Sequence, residues 1–181
     1  MKLVAEKLGQ REKHDLLRLV RDDGSACEIR MPRQGILPHD LVHFVVESQL
    51  AFRRAFLGMV DAGASPGFAM EAGNDAAGAT EAVHAEAIVE ALQAQLWSGA
   101  LDAEAFLDGV RGACAARGVD APGLASIAPG RLFARCLQLA GQWNRVPARQ
   151  DMTLEFPEPT AGVTSLAGDR RDLQSDRAAG R

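Results

Sequence analysis

Cysteine is scarce in this 181-residue sequence: Cys27, Cys114 and Cys136 are odd in number, widely spaced and without a CxxC pair. A disulfide framework is therefore not expected, and a reducing, cytoplasmic setting is. Long apolar runs are missing as well. The opening MKLVAEKLGQREK meets charge within a few residues, so no signal peptide is expected. The longest candidate span, residues 36–60, is interrupted by His39, Asp40, His43, Glu47, Arg53 and Arg54. Each central charge costs roughly 2 to 3 kcal/mol in lipid, which argues against a membrane protein. There is no excess of positive charge either: 20 basic and 24 acidic residues are well mixed and sum to −4. A phosphate backbone would find no electropositive track, which argues against nucleic acid as a partner. Also missing are a GxSxG elbow, a phosphate-cradling GxxxxGK[ST] and a GxGxxG turn.

What is present is an ordinary globular composition, 47% hydrophobic and 24% charged. The length suits one domain with a real core. The pattern predicts a single α+β domain over residues 1–158. From 159 to 181 almost nothing apolar is available to offset the entropy of ordering, so a disordered tail is expected there. Residues 2–8 can extend. The stretch HDLLRLVRDDGSACEIRMP then places two strand-like runs around a DG step, which supplies the positive φ a tight hairpin needs. Leu17 and Leu19 would share one face and Arg18 and Val20 the other. Near the C-terminus, Met152, Leu154 and Phe156 alternate with Thr153 and Glu155, a half-buried strand of period two. With no sheet of its own nearby, it is expected to join the N-terminal three-stranded meander. The result is an antiparallel sheet of about four strands covered by four or five helices.

After Pro38 the period changes to three and four through Leu41, Phe44, Val45, Ser48 and Phe52, with a break near residues 49–51 and resumption through Phe56, Met59 and Val60. AGASPGFAMEAGNDAAGAT reads as a long loop. A helix from Thr80 to about Trp97 would turn Val83, Ala87, Ala91 and Leu96 inward. Asp102 caps another, with Phe106, Val110 and Cys114 four apart and Gly118 beyond its end. The last helix has the clearest two-sidedness, with Leu132, Cys136, Leu139 and Trp143 opposite Arg131, Arg135, Gln138, Gln142 and Arg145.

The chemistry concentrates in LPHDLVHFVVE, residues 37–47. On a helix, residues four apart stack about 6 Å apart on one face, so the imidazoles of His39 and His43 can converge on one ion. HExxH helices hold zinc in this way, with the Glu as general base. Here Asp40 takes that position, one methylene short of easy reach to a metal-bound water. Glu47 can join His43 but lies about 12 Å along the axis from His39, so the three cannot share one ion. A third ligand must come from elsewhere, the candidates being His84 with Glu81 on the second long helix, or His14. Four histidines in a chain of this length fall four apart by chance in roughly 6% of sequences, so spacing alone does not establish a site. In the bland alternative, Asp40 favours the positive end of the helix dipole and His43 bonds to backbone or to Glu47.

The short meander, LPHDLVHFVVE, a helical middle and the closing W…VP…DMTLEFP together resemble a family of small bacterial proteins with no assigned function, over most of residues 1–157. The resemblance implies that the histidine helix is a feature of the group, and it carries over no catalytic residue. Two functional classes follow. One is a binding or interaction module without catalytic activity, acting on a protein or small molecule. Small residues at Ala87, Ala91 and Ala94 allow close helix approach, and with it a homodimer. The other is a divalent-metal site, zinc by its ligands, on His39 and His43, with hydrolysis as its natural reaction. The altered base position favours the first.

Overall fold

The computed structural model describes residues 1–73 and 80–158. The expected tail lies outside the described residues. Four strands, β1 (Lys2–Lys7), β2 (His14–Val20), β3 (Ala26–Pro32) and β4 (Gln150–Glu155), form one antiparallel sheet in the order β3-β2-β1-β4. The C-terminal strand thus pairs with the first, Leu3 opposite Leu154 and Ala5 opposite Met152. The hairpin of β2 and β3 sets Leu17 opposite Ile29 and Leu19 opposite Cys27. Its turn depends on Gly24 at φ 83° and on Asp23, whose Oδ1 accepts from the Ser25 amide at 2.8 Å.

One sheet face, with Leu3, Ala5, Leu17, Leu19 and Met31, is buried. The other carries Lys2, Arg18, Glu28 and Glu155 in solvent, with loose ion pairs across neighbouring strands. This is the alternation expected of an antiparallel sheet covered on one side.

Among the described residues, six α-helices complete the fold: α1 (His39–Leu50), α2 (Phe56–Asp61), α3 (Pro66–Ala72), α4 (Thr80–Ser98), α5 (Ala103–Ala116) and α6 (Pro129–Arg145). α3 falls in the segment expected as loop. Its signal is local: Ser65 caps Phe68 N, and Pro66 occupies the first turn, where a missing N–H costs nothing. α6 behaves as its stripe predicts, burying Leu132, Cys136, Leu139 and Trp143. α5 is capped by Asp102, which accepts from Glu104 N and Ala105 N at 3.0 Å. No helix among the described residues is long and apolar enough to cross a membrane.

α1 is the central element. Every residue from Asp40 to Glu47 is buried, and the helix meets α2, α4, α6 and β3. Enclosure on all sides is usual for an apolar helix, but this one carries His43 and Glu47 into the core and must satisfy them there. α1 ends at Ala51, which adopts the left-handed conformation (φ 55°) while Phe52 N bonds to Glu47 O. The chain then turns into α2 over residues 51–55.

Candidate metal centre

Where α1 packs on α4, Glu86 reaches both histidines. Its Oε1 lies 3.2 Å from His39 Nε2 and its Oε2 lies 3.1 Å from His43 Nε2. The two imidazoles sit one above the other with ring centroids 4.8 Å apart, as an i, i+4 pair on a helix requires. One ligand atom from each of His39, His43 and Glu86 can be chosen so that all three lie within 4.8 Å of one another. They border a cavity of about 140 Å³, which is also lined by Asp40, Phe56, Ala69, Met70, Gly73 and Ala82.

The far side of His43 is fixed independently. Its Nδ1 lies 3.1 Å from Glu47 Oε1. Glu47 is fully buried and receives the Leu57 amide on Oε1 at 3.1 Å and the Gly58 amide on Oε2 at 3.0 Å. These are first-turn amides of α2, a helix whose own N-cap residue, Ala55, has no side chain to offer. Glu47 therefore caps α2 from outside and orients the His43 ring in the same act. Gly58 is required where it stands, because a Cβ there would overlap the backbone of Arg53. Phe56 packs edge-on against His43 at 5.6 Å.

The other residues weighed as third ligands are committed elsewhere. Glu81 accepts the amides of Arg53 and Arg54 in the α1–α2 turn. His84 Nε2 bonds to the Asp120 carbonyl at 2.8 Å. His14 lies in β2 opposite Pro32, on the sheet face that carries Arg18. Glu47 faces Nδ1 of His43, whereas His39 and Glu86 lie on the Nε2 side. The residue that sequence reasoning passed over is Glu86. Its signal was an acid flanked by the buried Ala85 and by Ala87, Ile88 and Val89, two residues after His84.

Charge follows the geometry. Burial works against a protonated His43, but the carboxylates of Glu47 and Glu86 outweigh it and push its pKa up to about 10. Burial also works against ionised Glu86, and its bonds to His39 and His43 nevertheless hold it well below the usual carboxylate range. Asp40 shifts the other way, its carboxyl raised chiefly by burial.

No protein-family model matches this chain, and no curated protein or solved structure matches it.

Proposed function

We propose that the protein binds a divalent metal, zinc by preference, through His39 Nε2, His43 Nε2 and the Glu86 carboxylate. The observation that carries this reading is the supported convergence of those atoms. Zinc bonds of about 2.0–2.1 Å in tetrahedral geometry separate ligand atoms by roughly 3.3 Å; Glu86 Oε1 stands 3.2 Å from His39 Nε2 and its Oε2 3.1 Å from His43 Nε2, and one ligand atom from each of the three residues lies within 4.8 Å of the other two, so side-chain rotation would bring the set to that spacing. Metal-binding histidines donate their other ring N–H to a carboxylate, which fixes the tautomer, and Glu47 is placed to receive that of His43. Two histidines and one glutamate form the donor set of catalytic zinc, with the remaining position available to water or substrate. In such a centre the metal supplies an activated water for hydrolysis. The residues of the chain would hold the imidazoles in place beside the cavity.

A second reading has its own support. Both nitrogens of His43 have a carboxylate oxygen at 3.1 Å, which also suits a buried imidazolium clamped between Glu47 and Glu86 as a brace between α1, α2 and α4. Metal analysis of protein purified without an affinity tag separates the two. Stoichiometric zinc, lost in His43→Ala and in Glu86→Gln, is the expected result. Protein that is folded, metal-free and indifferent to added zinc would leave the brace. Glu86→Gln matters because it keeps the shape of a partly exposed side chain, so loss of metal there does not reflect unfolding.

A further inference from the structure

We infer that the centre takes a small substrate bearing one short apolar group beside the oxygen that meets the metal. The inference rests on the metal reading and concerns what the cavity admits. One wall is polar, formed by His39, Asp40, His43 and Glu86. The opposite wall is Phe56, Ala69, Met70 and Ala82. A volume of about 140 Å³ is close to that of cavities that hold a benzene-sized molecule. It falls short of the roughly 300 Å³ at which drug-sized pockets begin, which excludes nucleotides and oligosaccharides from full enclosure.

The mouth continues the apolar wall. On α3, Ala69 is buried against the cavity, while Met70 is 56% exposed and Phe68 63% exposed. Met70 both lines the cavity and reaches solvent, so it carries the apolar wall out to the surface. Gly73 also lines that side, where an added Cβ would be in ordinary contact with Glu86, 3.6 Å from its Oε2.

The test uses the full chain loaded with cobalt(II), whose visible absorption reports coordination directly. It is titrated with alkyl hydroxamic acids of increasing chain length, which bind cobalt(II) as anions through their two oxygens, and with a biphenyl hydroxamic acid too large for the cavity. Affinity is expected to rise about fourfold per methylene over the first few carbons, the increment for burying one CH₂, and then to fall once the cavity is full. The biphenyl compound is expected to bind no more tightly than the shortest alkyl member. In Met70→Asp the cobalt spectrum should persist while the dependence on chain length weakens. A flat series, or the biphenyl compound binding as tightly as the best alkyl member, overturns the substrate class and leaves the metal reading standing. Failure of any cobalt spectrum to develop overturns both, and is seen before a probe is added.

Discussion

The molecule buries two carboxylate networks, and they differ in what lies beside them. Asp15, in β2, is 2% exposed. Its Oδ1 accepts the Leu8 amide at 2.9 Å, and both its oxygens are engaged by Arg33. Each oxygen has a protein donor, the guanidinium of Arg33 is held above its ordinary pKa mainly by that bond, and neither residue lines the cavity beside α1. The α1 network starts in the same way, with Glu47 closed by two amides and His43. One residue further, however, His39, His43 and Glu86 border a cavity. Burial of charge is common to both and does not distinguish them. The distinction is convergence of donor atoms on space that a ligand can enter.

The strongest way to test the comparison is to remove each anchor. Glu47→Ala leaves two α2 amides and the His43 ring without partners in the core, and the expected loss is about 3 to 5 kcal/mol of unfolding free energy. Asp15→Ala strips one amide and one guanidinium, but the Arg33 side chain is 30% exposed and can turn to solvent. The expected loss there is about 1 to 3 kcal/mol, with zinc uptake unchanged. Urea unfolding of both variants beside the parent measures the difference. Equal losses, or zinc uptake that depends on Asp15, would erase the distinction.

A smaller effect separates the networks by pH. In the metal-free protein, the folded pKa of His43 lies above its ordinary 6.5, at about 10. Its contribution to stability is therefore complete below pH 6.5 and is lost as pH rises through about 10. Glu86 is lowered from 4.5, so its contribution is present above pH 4.5 and is lost as pH falls. The two windows overlap between 4.5 and 6.5. Above 6.5, stability should decline by at most about 1.4 kcal/mol per pH unit, the limit for one proton. Urea midpoints in chelator at about pH 6 and about pH 9 follow the decline. Asp15→Ala should retain it and Glu47→Gln should flatten it. A parent protein with no alkaline decline would mean that His43 is neutral in the folded state.

Legibility from sequence divides along similar physical lines. The sheet could be read because each strand has one solvated face, so alternation shows; Met152, Leu154 and Phe156 needed a partner sheet, and β1 provides it. α5 and α6 were equally plain, since each has a wet side and α5 a side-chain cap. The central helices conceal more. α4 buries Ala82, Val83, Ala85, Ala87, Ile88, Val89, Ala91 and Leu92, which surround its axis, so no stripe marks which polar residue faces α1. Glu86 was therefore indistinguishable from Glu81, two turns of helix serving different neighbours. His39 and His43 were visible because their spacing is local to one helix. Their partner depends on how α1 and α4 are rotated against each other, which no single helix encodes.

The smallest effect concerns the turn that joins the two halves of the α1 network. Ala51 ends α1 in the left-handed region, at φ 55°, a conformation that costs a residue with a Cβ roughly 1 kcal/mol and glycine nothing. Ala51→Gly removes that strain, while the greater freedom of glycine in the unfolded chain offsets part of the gain. The expected outcome is a stabilisation of about 0.5 kcal/mol. Metal affinity should not move, because Glu47, Gly58 and the Arg53 amide keep their places. A rise in thermal midpoint with unchanged zinc affinity would show that the turn serves the scaffold alone. A change in zinc affinity would instead mean that the turn sets the position of His43 through Glu47, and that scaffold and site are coupled at this residue.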